Sequence, residues 1–192
     1  MTADILQSLP ATGILETWVL PVLLALGLAA ASGLRIFVPL FMAALAAKFQ
    51  LFGIELNDGM LWMTSNTAIA ALGLATVIEI ISDKVPVLDN ALHAIGLIAR
   101  PVAGAMVAGS MFVGLDPTAA AIAGIIVGAP TALAFGAAQG GTRAASTLST
   151  AGMANPFLSV VDDVVSVGTV LIAFLMPLLI PIVILIGFLV LR

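Results

Sequence analysis

Cysteine is absent from the chain. Its absence excludes disulfides, thiolate metal sites and cysteine nucleophiles. Charge is scarce too: 8% of residues are charged, against about 25% in an ordinary soluble domain. So few charged side chains cannot cover a water-facing surface. With 62% hydrophobic residues and a mean hydropathy of +1.27, the outside of the molecule must be solvated mainly by lipid. Positive charge is scarcest, with six Lys+Arg and a formal net charge of −4. That argues against nucleic acid, whose phosphates need many cations for neutralisation. The opening MTADILQSLPATGILE has no basic stretch and carries Asp4 and Glu16. It reads as a short interfacial segment leading into a first span, not as a signal peptide.

What the chain does have is long apolar runs. A bilayer-spanning helix needs about 20 mostly apolar residues. Residues 17–32, 67–82, 91–113 and 118–138 qualify or nearly so, and the run 156–191 is long enough to fold back on itself. Pro177 and Pro181 are its break points, because proline removes a backbone donor and clashes with the preceding turn. Splitting it into 157–174 and 177–191 predicts about six transmembrane helices. Two further apolar pieces, 36–49 and 144–154, are short for a crossing, and each follows an arginine. They read as two short re-entrant or broken helices. Residues 50–66 mix Glu55, Asn57 and Asp58 with apolar side chains, as expected of an amphipathic segment at the interface with Trp62 at headgroup level.

An internal repeat is suggested by two alignments. ASGLRIFVPL set on QGGTRAASTL places Arg35 on Arg143, and TVIEIISD set on SVVDDVVS places Glu79 on Asp162. The expected organisation is one membrane domain over residues 1–192 with two pseudo-symmetric repeats, 14–113 and 118–191. Three spans plus a re-entrant piece per half would make the repeats inverted, as in many secondary transporters.

Ionisable groups in hydrocarbon cost about 2.5–3.5 kcal/mol each, so those inside the spans are the candidate site. Glu79 and Asp83 are four apart and share a helix face. Asp89 and His93 are also four apart, and all four together would make an oxygen-rich metal or proton site with one imidazole; the competing reading is solvated turn charge and a packed histidine. Asp162 and Asp163 are adjacent, so they point about 100° apart and need different partners. Arg35 and Arg143 each follow glycine and small residues. A broken-helix N-terminus exposes N–H groups, and a guanidinium beside them would complete an anion site, with Ser146 and neighbouring hydroxyls adding donors. The alternative is internal pairing, Arg35 with Asp162 or Glu79 and Arg143 with the other. Arg100, before Pro101, reads as packing with an internal salt bridge, and Gly104 and Gly109 as places of close helix approach.

At ASGLRIFVPL, EIISDKVPVLD and ARPVAGA the chain resembles a family of small bacterial membrane proteins catalogued as a domain of unknown function, DUF4126. The resemblance covers roughly residues 24–174. Glu79, Asp83, Lys84, Pro86 and Asp89 fit its acid–aspartate–lysine–proline–aspartate stretch. It implies an inner-membrane, multi-pass location and no assigned activity. A looser likeness is to cation exporters with a Glu-x-Gly-Asp-Lys motif; here the Glu79–Asp83 spacing is one longer and no glycine precedes Asp83.

The resulting expectation is an all-α polytopic membrane protein that transports a small ion or polar solute, coupled to protons or cations through intramembrane carboxylates. Its partners would be the lipid bilayer and that solute, with self-association into a homo-oligomer left open. Binding or translocation of a phosphorylated lipid headgroup, and a non-transporting scaffold or accessory role, are the alternatives. No Ser/His/Asp or HExxH constellation is present, so neither an enzyme nor a cofactor is expected.

Overall fold

The computed structural model describes residues 13, 15–84 and 86–191, and these contain helices and turns but no strand. After a π-helical turn, Leu15–Val19, α1 runs over Leu20–Leu34 and α2 over Phe37–Lys48. Short 3-10 turns, Leu51–Gly53 and Asp58–Thr64, lead into α3, Asn66–Ser82. Then follow α4, Pro86–Ser110, α5, Pro117–Thr150, and α6, Asn155–Leu175. A 3-10 turn, Pro177–Leu179, precedes α7, Ile180–Leu191.

By length and composition α5 and α6 are fit to cross a membrane, and the Asp58–Thr64 turn with α3, bent by 72°, makes a third span if counted as one. Leu20–Leu34, Phe37–Lys48, Ile95–Ser110 and Pro177–Gly187 are shorter apolar helices. The six spans expected from the apolar runs are therefore not matched by six full-length helices. The apolar exterior fits a membrane protein: Leu74 on α3, Ile98 on α4, Ile126 on α5 and Val164 on α6 are all exposed.

The centre of the bundle is α1, which packs against α4, α5, α6 and α7. Its residues from Gly27 to Leu34 are all buried. Small side chains permit this crowding: a Cβ on Gly33 would lie 2.5 Å from Ala132 O. The same device joins α4 to α5, where a Cβ on Gly128 would lie 2.2 Å from Gly104 O. Glycine approach expected at 104 and 109 is thus met by glycines on the facing helix.

The break between α1 and α2 has a local cause. Arg35 is extended (φ −134°, ψ 120°), and in a continuous helix the ring of Pro39 would clash with the carbonyl of residue 35, four positions back. The two helices fold back on each other. Leu20, Pro21 and Leu24 of α1 line one cavity, Ala47 and Lys48 of α2 line another, and Gly53, Ile54, Glu55 and Val113 border both. Arg35 is therefore the tip of a helical hairpin. Its arms, of 15 and 12 residues, reach only about 22 and 18 Å at 1.5 Å per residue, less than the roughly 30 Å hydrocarbon core.

The second short piece is different from its expectation. Residues 144–150 continue α5 without a break, and the chain turns only at Ala151 and Gly152, both with positive φ. Helix formation there follows from the absence of any proline between Pro130 and Pro156. Residues 50–66 do not simply lie on the surface either. Ile54, Leu56, Asn57 and Met63 are buried, while Trp62 is half exposed. Asn57 holds the segment to the α4–α5 turn: its Nδ2 donates to Phe112 O and Leu115 O at 2.8 and 2.7 Å, and its backbone N–H donates to Ser110 O at 2.8 Å.

Candidate functional site: a buried ion-pair cluster at the hairpin tip

Breaking a helix leaves backbone groups without partners, and the sequence supplies side chains from three other helices to meet them. Glu79 on α3 accepts from Ile36 N–H through Oε1 at 2.7 Å and from Phe37 N–H through Oε2 at 3.0 Å. The carboxylate thus caps the N-terminus of α2, where negative charge is favourable. At the end of α1, Gln139 Nε2 on α5 donates to Leu34 O at 3.2 Å, and Ser166 Oγ on α6 donates to Ala31 O at 3.2 Å. At this broken-helix N-terminus, where an anion site was expected, the exposed N–H groups are taken by the chain's own Glu79.

Arg35, at 1% exposure, is among the largest fully buried side chains. Nη1 is paired with Asp83 Oδ2, and Nη2 donates to Ser159 O and Oγ at 2.8 and 2.9 Å. Nε lies 2.7 Å from Asp163 Oδ1. Arg143 reaches the same aspartate from α5: its Nη2 is 3.0 Å from Asp83 Oδ2 and 2.9 Å from Asp162 Oδ2. One oxygen, Asp83 Oδ2, therefore bridges both arginines. Lys84 Nζ joins the outer edge, 3.2 Å from Asp163 Oδ2. Among the described residues three cations face three aspartates, and Glu79 sits on backbone N–H groups, so each of these charges has a compensating partner.

Internal pairing is met in part: Arg143 does pair with Asp162, as one of the two expected arrangements had it, whereas Arg35 meets neither Glu79 nor Asp162 as an ion-pair partner. Arg35 takes Asp83 and Asp163, and Arg143 takes Asp83 and Asp162. The adjacent aspartates do serve separate cations, as their angular offset requires. The alignment of Arg35 with Arg143 has no counterpart in local structure, since one occupies a helix break and the other a helix interior. Glu79 and Asp162 differ likewise: one caps a helix, the other pairs with a guanidinium. Ser146 lies one turn beyond Arg143, and its buried Oγ has no hydrogen-bond partner. Among the described residues Arg100 has no ion-pair partner; its Nη1 donates to Gly136 O at 3.2 Å. The side chains of Asp89 and His93 lie outside the described residues. Among the described residues no group of three or more His, Asp or Glu side chains is placed to hold a metal, and Glu79 and Asp83 have the partners given above.

Gln139, Ser159 and Ser166 belong to the cluster and do not stand out in the sequence, and Lys84 stands out only as part of the family stretch. A signal for three of them exists. Ser159, Asp162, Asp163 and Ser166 recur at helical spacing on an otherwise valine-rich helix, and Gln139 precedes Arg143 by one turn. In a lipid-facing protein such a stripe must point inward.

The family model described as Domain of unknown function (DUF4126) covers residues 22–192, and the chain belongs to that family. No curated protein and no solved structure matches it.

Proposed function

We propose that this protein moves a small cation or polar solute across a membrane, coupled to proton binding at the buried carboxylates. The observation that carries the reading is Asp83 Oδ2, which accepts from Arg35 at the hairpin tip and from Arg143 in α5 at 3.0 Å. Asp83 thereby ties the hairpin to α5, so a change of charge within the cluster reaches both elements together. Buried pairs are costly to assemble and add little net stability, which favours a working role over a merely structural one. Broken helices near the membrane midplane are where secondary transporters place such sites. In this reading the α1–α2 hairpin is re-entrant, its tip ends among the charges, and the chain is a multi-pass protein of the bacterial inner membrane. The lipid-headgroup reading is weaker, because Arg35 donates to Asp83 and to Ser159 and is paired with Asp163 besides.

Vesicles loaded with a pH-sensitive dye test the proposal. Purified protein is reconstituted and challenged in turn with NaCl, KCl, MgCl2 and MnCl2 gradients. The wild type should move protons under at least one gradient, Asp83→Asn should not, and Lys48→Ala should match the wild type. Equal dye traces for protein-containing and empty vesicles under all four gradients would remove cation coupling.

A further inference from the structure

The orientation of the Gln139 amide is set by its two acceptors. Nε2 donates to Leu34 O at 3.2 Å and to Asp162 Oδ2 at 2.6 Å, so its oxygen must be Oε1, on the other side. That oxygen is buried without a hydrogen-bond donor, and the residue as a whole is 1% exposed. A buried amide oxygen with no donor forfeits the hydrogen bonds it would make in water. Its neighbour shows the same want. The protein contacts of the Asp162 carboxylate all fall on Oδ2, which receives Gln139 Nε2 and Arg143 Nη2, while Oδ1 receives none. Two acceptors without donors, on two side chains already joined by a hydrogen bond, call for hydrogen.

Resting on the coupling read above, we infer that Asp162 is the residue that carries the coupled proton and that Gln139 is its positioning residue. The proton comes from water and binds Asp162 Oδ1, turning the carboxylate into an acid. The O–H so formed is the donor that Gln139 Oε1 lacks, while Gln139 Nε2 continues to donate to Oδ2. An amide and a carboxylic acid are complementary in this way, each offering one donor and one acceptor. Release of the proton returns Asp162 to its pairing with Arg143.

The surrounding charges make Asp162 better suited than its neighbours. Asp83 faces both Arg35 and Arg143, Asp163 faces Arg35 and Lys84, and Glu79 accepts two backbone N–H groups. Asp162 faces Arg143 alone among the cations, and Arg143 keeps Asp83 when Asp162 is neutral. Arg100 on α4 also acts on Asp162 at longer range. The Asp162 side chain is 13% exposed, between Asp83 at 9% and Asp163 at 19%, so exposure sets it apart from Asp83 and the number of facing cations from Asp163.

Infrared difference spectroscopy across a pH step reads this directly, because a protonated carboxylic acid has a carbonyl band distinct from a carboxylate. In reconstituted wild-type protein the step should produce one such band. Asp162→Asn should abolish it, Asp162→Glu should move it, Gln139→Leu should shift it upward through loss of the hydrogen bond, and Asp83→Asn should leave one in place. If Asp162→Asn does not fold, the Asp162→Glu and Gln139→Leu shifts decide. A band that survives Asp162→Asn, or that neither substitution moves, or no band at all, overturns the assignment. Proton flux in the dye-loaded vesicles is scored separately. Flux without an Asp162 band sinks this inference only, and a band without flux sinks the transport reading only.

Discussion

Arg35 and Arg143 stand on matching stretches of sequence and end on the same carboxylate oxygen, yet they are held in different ways. Arg35 occupies an extended break forced by Pro39; it donates to Asp83 and Ser159 and lies in ion-pair distance of Asp163. Arg143 sits in the uninterrupted interior of α5 and shares Asp162 with Gln139. The lesson is that a buried cation in an apolar chain is defined by what it can reach. The small residues before both arginines do not make both into turns; a proline four residues ahead does so for one.

Substitution can break or sharpen this contrast. The largest effect is expected for Arg35→Ala. It leaves Asp163 with Lys84 alone and removes both donors to Ser159, and removing one partner of a buried pair costs about 3–5 kcal/mol. Arg143→Ala should cost less, about 1–3 kcal/mol, because Asp83 keeps Arg35 and Asp162 keeps Gln139. Thermal unfolding in one detergent orders the two; an equal loss, or a larger one for Arg143→Ala, would erase the distinction.

The bridge itself is tested by the double substitution Arg35→Ala with Arg143→Ala. Through their shared partner Asp83 the effects should be non-additive by about 0.5–3 kcal/mol, and additivity would mean that Asp83 does not link them. Glu79→Gln comes next. It replaces one accepting oxygen with a donor against an N–H group, so hairpin stability should fall by about 0.5–2 kcal/mol, the range for loss of an N-cap. Hydrogen exchange should then rise at Ile36 and Phe37 before it rises in α5. The smallest effect belongs to Lys84→Ala, under about 1 kcal/mol, because its pair with Asp163 is partly exposed.

Much of the site could be read along the chain because hydrocarbon penalises idle charge. Arg35, Glu79, Asp83, Arg143, Asp162 and Asp163 stood out against apolar surroundings, and all six lie in the cluster. Gln139 and Ser159 did not stand out, since a neutral polar side chain on a helix has many ordinary explanations. The partners were not legible either. Asp83 reads as turn charge after Ser82, and only the hairpin's length, which sets the tip level with the end of α3, brings Arg35 to it.

Sequence by itself determined that this is an all-helical chain in a lipid-like solvent, that it must bury its few charges inward, and that the proline pair at 177 and 181 interrupts its last apolar run. These follow from local sterics and from the transfer free energy of each residue. The tertiary structure alone decided that α1 and α2 form a half-length hairpin, that Glu79 caps it, and that one oxygen of Asp83 serves two arginines 108 positions apart in sequence. Such pairings depend on where whole helices end relative to one another, which close packing through glycine fixes and no local pattern encodes.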